Sequence, residues 1–132
     1  MTDQPGLIRS EGSISTQFDE VNAVIRVTGN GAFSPDEVDA FSARFTRMIA
    51  LMRARCNCVR VLVDRRGCPP DSPETAERLR YHSEHNFRPG DRVAVIVDSS
   101  LSKFRLKDML DDRTHMLFVS ANAALTWLKA HD

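Results

Sequence analysis

The sequence predicts an α/β fold: a mixed five-stranded sheet, made of an N-terminal β-hairpin followed by parallel βα units, with four helices. A short segment near the start alternates apolar and polar residues, and a second strand-like segment follows directly after a polar break, which is typical of a hairpin. Helical periodicity and strand-like apolar segments then alternate along the rest of the chain. Helices that connect strands indicate parallel pairing, because parallel neighbours need long crossover connections.

Length and charge bound the class of protein. The chain has 132 residues, and we expect a flexible lead-in at residues 1–10 and one domain at 11–132. Its 18 basic and 18 acidic residues cancel, so no overall field would attract nucleic acid or anionic lipid. The longest apolar run, Val93 to Val97, is far shorter than the roughly 20 residues of a spanning helix. With no signal peptide recognised, these features predict a cytoplasmic protein without an integral membrane segment.

Serines mark the helix starts. Ser34, Pro35 and Glu37 fit a capping box with proline in the first turn, and Ser120 is placed to cap the last helix. The segment from Arg92 is apolar on both faces, which predicts an interior strand covered on both sides. In chain order, the predicted strands are 14–18, 23–28, 58–64, 92–98 and 115–119, and the predicted helices are 35–55, 73–86, 100–112 and 121 onward.

Three stretches carry a resemblance to a known family: Val-Arg-Val-Leu-Val-Asp at 59–64, Asp-Arg-Val-Ala-Val-Ile at 91–96 and Ala-Ala-Leu-Thr-Trp-Leu at 123–128. In their order of elements they resemble the STAS domain, and more narrowly the SpoIIAA-like family of small bacterial proteins. That fold is shared in part with lipid-carrying SEC14-like domains. The resemblance runs from about residue 12 onward and implies a regulatory role through protein contact.

The resemblance also suggests a phosphorylation site. In STAS anti-sigma-factor antagonists, a serine at the start of the helix after the third strand is phosphorylated, and this position falls on or near Ser72. A phosphate there would meet free backbone N–H groups, with Arg65 and Arg66 as candidate partners. This chain continues with Pro73-Glu74 where the family has Ser or Ser-Gly. The alternative is that Ser72 only caps the helix.

The second helix has few apolar positions and many basic or aromatic ones. Such a face is suited to an acidic partner or a phosphorylated ligand, and the alternative is an ordinary solvated face. His82 and His85 share a helix face, but no third ligand stands at a diagnostic spacing, so we predict no metal site. The candidate partner or anion patch comprises Arg65, Arg66, Arg78, Tyr81, His82, His85 and Arg88.

The third helix spreads its apolar residues over a wide arc, and basic residues lie between them. This pattern fits either a helix buried along one broad face or a surface for an apolar ligand, a lipid or another subunit. A tryptophan in the last helix has the same two interpretations. The candidate residues are Phe104, Leu106, Met109 and Trp127.

No familiar catalytic motif is present. Cys68 lies in a loop near a helix start, and Asp64 and Asp98 end neighbouring strands at the edge where α/β sheets bind ligands. The sequence therefore predicts a non-enzymatic module without a cofactor that acts by protein contact, as a homodimer or with another protein. The alternatives are a carrier of a small apolar ligand or lipid, and a small enzyme that uses Cys68 or the Asp64/Asp98 edge.

Overall fold

The sheet has the predicted arrangement. A computed structural model of the chain describes residues 13–107 and 110–130. The strands lie in the order β1-β2-β3-β4-β5; β1 and β2 are antiparallel, and the other pairs are parallel. This confirms the mixed five-stranded sheet with four helices. The elements are β1 Ser13–Asp19, β2 Val24–Asn30, α1 Pro35–Arg53, β3 Arg60–Gly67, α2 Pro73–Asn86, β4 Arg92–Ile96, α3 Ser100–Leu106, β5 His115–Phe118 and α4 Ala121–Lys129.

The predicted helix starts are present. Ser34 Oγ accepts a hydrogen bond from the Glu37 N–H (3.2 Å), and Glu37 Oε1 accepts one from the Ser34 N–H (2.8 Å), which completes the capping box. Ser120 Oγ accepts from the N–H of Ala123 (3.3 Å) at the start of α4. These bonds satisfy helix N–H groups that have no partner within the helix.

The helices divide between the two faces of the sheet. Each crossover from β2 to β5 leads to the next strand in the sheet, so connections of one hand place α1, α2 and α3 on the same face. α4 covers the other face with Ala124 and Leu128, which pack against Leu62, Ala94 and Ile96. β4 is therefore covered on both faces, as its sequence predicts. The core on the α1 face includes Ile25, Val27, Phe41, Phe45, Ile49, Met52, Val61, Val93 and Val95.

α2 buries fewer side chains than α1 and α4. Its only buried side chain is that of Thr75, whose hydroxyl donates to the carbonyl of Phe33 (2.8 Å). Towards α1, the Arg78 guanidinium and His82 Nε2 both bind the carboxylate of Asp39. α2 is thus held mainly at its first turn and along α1, and little apolar surface presses it onto the sheet.

Asp91 joins three segments at the start of β4. Its buried carboxylate accepts two bonds from Arg53 (2.9 and 2.6 Å) and one each from the N–H groups of Val59 (3.0 Å) and Arg88 (2.9 Å). Burial acts to raise the pKa of Asp91, but these donors together hold it below its ordinary value. The ion pair fixes the end of α1 against the turn that precedes β4.

Two boundaries differ from the sequence prediction by more than two residues. β3 continues to Gly67, although residues 65–71 were predicted as a loop, because its pairing with β2 resumes after a bulge and joins Asn30 to Gly67. α3 ends at Leu106 rather than near residue 112. Beyond it, the carbonyl of Asp111 accepts bonds from the N–H groups of Thr114 (3.1 Å) and His115 (2.8 Å), so a turn leads into β5. The Asp111 carboxylate also accepts the N–H of Arg113 (3.0 Å), and local side-chain bonds of this kind compete with a helix.

Candidate functional site: the cavity beneath α2

A cavity of about 580 Å³ lies between α2 and the sheet. Ligand pockets in proteins commonly measure roughly 300–1,000 Å³, so this space would accommodate a small molecule. Its walls come from four strands, all three helices of that face and the segment before β5. Apolar lining residues are Val27, Phe41, Phe45, Val61, Val63, Leu79, Val93, Val95 and Leu106.

Aromatic rings follow one another along the cavity wall. Phe41 and Phe45 are stacked with ring centroids 5.1 Å apart. Phe87 meets Phe45 edge-on at 6.1 Å and meets His115 edge-on at 5.5 Å. Offset-stacked and edge-on contacts at these separations are the favoured geometries for aromatic pairs. The row ends at an imidazole, which adds hydrogen-bonding capacity to an otherwise apolar wall.

His115 lies between two hydroxyl groups. Its Nε2 is 3.1 Å from Ser83 Oγ, and its Nδ1 is 2.7 Å from Thr114 Oγ1. The residue is only 8% exposed, and burial lowers the pKa of His115 to about 4, although Asp111 acts in the opposite direction. The imidazole is therefore neutral at neutral pH, with one nitrogen donating and the other accepting. The hydroxyl of Ser83, which belongs to α2, is a second polar group at this end of the cavity.

Arg65 lies at the other end of the cavity. Val61 pairs with Val93, and Val93 pairs with His115, so these residues lie side by side across the sheet. Arg65 follows Val61 by four residues on β3, which places it about 13 Å further along the strand direction. Its guanidinium binds Asp71 (2.8 Å). Burial acts to lower the pKa of Arg65, but the Asp71 carboxylate outweighs it and raises the pKa above its ordinary value. The buried positive charge is thus matched by a buried negative one.

Apart from Pro89, the exposed residues that line the cavity are charged. Two come from α2, one from the turn before β4, and two from the turn before β5. In the latter turn, the Arg113 guanidinium binds the Asp111 carboxylate (2.9 Å). A mainly apolar lining with a few polar groups is the usual composition of a small-molecule site. The rim residues are Arg80, Glu84, Arg88, Asp111 and Arg113.

Comparisons with known proteins agree with this architecture. No protein-family model matches the chain, and no curated protein matches it. Among solved structures, the chain is similar to an uncharacterised protein of the DUF3478 family with a SpoIIAA-like fold, from Shewanella loihica PV-4. The TM-score is 0.64 at 16% identity, and the match covers 97% of this chain and 98% of that one. The chain has a SpoIIAA-like fold.

A second solved structure supports the same conclusion. An anti-sigma factor antagonist from Mycobacterium paratuberculosis matches with a TM-score of 0.60 at 14% identity, covering 89% of this chain and 94% of that one. Both matches extend over most of the chain, which confirms the resemblance predicted from the strand segments and the terminal helix. At these identities the likeness is one of fold. Within the described ranges, none of the helices of this SpoIIAA-like domain is long and apolar enough to cross a membrane.

The SpoIIAA-like fold divides the predicted basic patch. Arg65 points to the cavity face, whereas Arg66, the next residue on the strand, points to the opposite face and binds Asp64 (2.6 Å). Strand alternation is the reason for this division. Of the remaining members of the predicted patch, Arg78 and His82 bind Asp39, the rings of Tyr81 and His85 pack 4.2 Å apart, and Arg88 lies at the cavity rim.

Ser72 caps α2. Its Oγ accepts from the N–H of Thr75 (3.2 Å) and donates to the hydroxyl of Thr75 (3.1 Å). The residue is exposed. Both arginines proposed as phosphate partners, Arg65 and Arg66, are already bound to carboxylates. Phosphorylation of Ser72 stays a prediction.

The predicted apolar residues lie in different parts of the fold. Leu106 lines the cavity, whereas Phe104 is 68% exposed. Trp127 lies on the opposite face of the sheet, where it packs on Phe118 with ring centroids 5.7 Å apart and beneath the guanidinium of Arg92 at 4.8 Å. Met109 and the predicted lead-in at residues 1–10 lie outside the described residues.

The residues considered for catalysis have local partners. Burial raises the pKa of the Cys68 thiol, although Arg65 acts against it. Asp98 Oδ1 accepts from Ser102 Oγ (2.6 Å), which lowers the pKa of Asp98. The Arg66 guanidinium likewise lowers the pKa of Asp64. Across residues 13–107 and 110–130, no group of three or more His, Cys, Asp or Glu side chains is placed to hold a metal ion.

Ser83 and His115 are not among the site residues predicted from the sequence. Two features of the sequence indicate which way these side chains face. Ala76, Leu79 and Ser83 follow at steps of three and four, so they share the inner side of α2. His115 alternates with Leu117 and therefore faces the same side of β5 as that buried residue. Neither feature shows that the two polar side chains meet, because their elements are far apart in the chain.

Proposed function

We propose that this SpoIIAA-like domain is a non-enzymatic binding module that holds a small, mainly apolar molecule in the cavity beneath α2. The observation that carries the proposal is the apolar lining of the cavity, in which Val63, Leu79 and Phe87 stay half-buried above a floor of valines because α2 buries only Thr75. A ligand that covers these side chains gains about 25 cal/mol per Å² of apolar surface removed from water. The floor consists of Val27, Val61, Val63, Val93 and Val95.

The chemistry of the polar residues supports binding rather than catalysis. With a pKa of about 4, His115 is a poor proton acceptor for the hydroxyl of Ser83 at neutral pH. The raised pKa of Cys68 disfavours its nucleophilic thiolate form. The carboxylates of Asp64 and Asp98 already accept local hydrogen bonds.

The test is titration of the full chain with N-phenyl-1-naphthylamine, a neutral dye whose fluorescence rises in apolar surroundings. We expect saturable binding of one dye per chain. The Ala76→Phe variant, which adds a ring at the half-buried inner side of α2, should weaken dye binding at least about tenfold by filling the cavity. Ala43→Phe, at an exposed position of α1, is the matched control and should bind like the wild type.

Two results would contradict the proposal. One is the absence of saturable binding by the wild type. The other is equal dye binding by the Ala76→Phe and wild-type proteins with loss of binding in Phe104→Ser, which would place the dye on the surface of α3. Native mass spectrometry of the protein as purified provides a second readout, since a retained small molecule would add a discrete mass.

The surface of α3 favours a second candidate function, recognition of a protein partner. Leu101 and Phe104 are 57% and 68% exposed and lie three residues apart, so they share a face of the helix. Lys103, Arg105 and Lys107 surround them. The fold likeness to an anti-sigma factor antagonist supports a regulatory role through such contacts, with a second copy of the chain as the simplest partner.

Sedimentation velocity over a range of protein concentrations tests self-association. If α3 forms the contact, the wild type should dimerise, and the double variant Leu101→Ser/Phe104→Ser should sediment as a monomer. Leu51→Ser is the control, because Leu51 is 70% exposed on α1, away from this surface. A monomeric wild type at every concentration would contradict a homodimer, and an unchanged dimer in the double variant would exclude the α3 surface as its interface.

A further inference from the structure

The polar groups inside the cavity indicate which kind of ligand it takes. His115 is neutral, and its two ring nitrogens face hydroxyl groups at 3.1 and 2.7 Å rather than a carboxylate. This end of the cavity therefore offers hydrogen bonds without a net charge. A ligand anion placed beside His115 would lose hydration next to a neutral ring, and the rim guanidinium of Arg113 is already bound to the Asp111 carboxylate.

The opposite end is also neutral as a whole. The Arg65 guanidinium is bound to Asp71 at 2.8 Å, and their side chains are 18% and 7% exposed. A carboxylate ligand at this end would have to compete with the Asp71 carboxylate, which the chain itself supplies. The two ends thus differ from an anion site, in which basic groups face the ligand without acidic partners.

Ser83 can donate a hydrogen bond to a ligand oxygen or accept one from a ligand hydroxyl. If His115 Nε2 carries the proton and donates to Ser83 Oγ, the serine hydroxyl hydrogen is available to a ligand carbonyl. If the serine donates to Nε2 instead, its oxygen still has a lone pair for a ligand hydroxyl. The half-buried position of Ser83 on the inner side of α2 places this group in the cavity lining.

We propose that the cavity selects a neutral, mainly apolar molecule that carries one hydrogen-bonding oxygen, a hydroxyl or a carbonyl, and that Ser83 and His115 bind this oxygen. This inference rests on the proposed function. The row of Phe41, Phe45 and Phe87 that leads to His115 provides aromatic faces and edges for the body of the ligand. Planar aromatic alcohols and ketones fit both features.

The test compares three probes that share one ring system: 2-naphthol, naphthalene and 2-naphthoate. Each displaces N-phenyl-1-naphthylamine from the full chain at pH 7. We expect 2-naphthol to bind about two- to tenfold more tightly than naphthalene, since one added hydrogen bond is worth about that factor. We expect 2-naphthoate to bind at least about tenfold more weakly than 2-naphthol, because its carboxylate would lose hydration beside the neutral His115 ring.

Substitutions at Ser83 assign the preference to the proposed atoms. Ser83→Ala should lower 2-naphthol affinity to that of naphthalene and leave naphthalene binding unchanged, whereas Ser83→Thr, which keeps the hydroxyl, should retain the preference. Ser15→Ala, at an exposed strand position, is the control. Circular dichroism and thermal melting of each variant establish that it is folded.

The outcomes separate this inference from the proposed function. Equal affinity for 2-naphthol and naphthalene, tightest binding of 2-naphthoate, or an unchanged preference in Ser83→Ala would overturn the inference while leaving an apolar binding site in place. Failure of the dye and all three probes to bind would overturn the proposed function and this inference together.

Discussion

The two faces of the sheet show how differently a helix can cover a layer of valine, leucine and isoleucine. α4 has 9 residues and buries Ala124 and Leu128 completely. α2 has 14 residues and buries only Thr75. The shorter helix closes its face and the longer one leaves a cavity of about 580 Å³. The number of apolar side chains that a helix directs at the sheet, rather than its length, decides whether the space is filled.

The difference extends to how each helix is held. α4 is fixed by apolar burial, which does not depend on charge. α2 depends on its N-terminal cap and on polar contacts with α1, such as those of Arg78 and His82 with Asp39. Solvent-exposed ion pairs of this kind contribute little to stability. We therefore expect α2 to open locally more readily than α4, as a helix over a binding site must.

The largest expected effect compares one leucine from each face. Leu128→Ala should lower the free energy of unfolding by about 2–5 kcal/mol, because the side chain is fully buried and its removal leaves a new void. Leu79→Ala, at a half-buried position that already borders the cavity, should cost about 1 kcal/mol. Urea denaturation of both variants measures the pair. Equal losses would show that the two faces are packed alike.

The second expected effect is a pH dependence specific to the cavity face. The pKa of His115 is lowered from its ordinary value of 6.5 to about 4. Between these values the unfolded chain takes up a proton that the native state does not, so stability falls as the pH falls. The loss attributable to this group approaches about 3 kcal/mol by pH 4.

Urea denaturation at several pH values from 7 to 4 measures this loss, with His115→Gln as the test variant. Carboxylates with lowered pKa values, such as Asp91, add a loss in the same direction at the acid end of the range. The relevant quantity is therefore the difference in slope between wild type and variant. The exposed His85→Gln serves as the control. An identical slope in wild type and His115→Gln would contradict the burial of a neutral imidazole.

A smaller effect is expected at the anchor of α2. Thr75→Val keeps the shape of the side chain but removes the hydroxyl that donates to the Phe33 carbonyl, leaving that acceptor without this bond. We expect a loss of about 1–2 kcal/mol in the free energy of unfolding and faster amide hydrogen exchange in α2 than in α4. Equal acceleration in both helices would mean that α2 does not open independently.

The smallest effect is expected at the surface of α3. Phe104→Ser should change the free energy of unfolding by less than about 0.5 kcal/mol, since the ring is 68% exposed and supports no core contact. Thermal melting of the variant beside wild type measures this. A drop as large as that of Leu79→Ala would show that α3 contributes to the packing of the cavity face.

Local sequence signals predicted the elements well, because they act over a few residues. The capping box at Ser34 and the cap at Ser120 are where the sequence places them. The end of α3 was predicted too late: the helix ends at Leu106, and the segment from Asp111 forms a turn in which the Asp111 carboxylate accepts the N–H of Arg113. The site was harder to predict from the sequence. Arg65 was named as a surface residue, whereas the alternation of side chains along β3 places it in the cavity lining.

The sequence by itself determined the α/β class, the N-terminal hairpin followed by parallel strands, and the polar character of α2, because periodicity and caps are properties of neighbouring residues. Only the tertiary structure decided that α2 stands away from the valines of β2, β3 and β4, and that Ser83 meets His115 across 32 residues of chain. The physical reason is that a cavity is a shortage of side-chain volume summed over several elements. This shortage cannot be read from any single segment of the sequence.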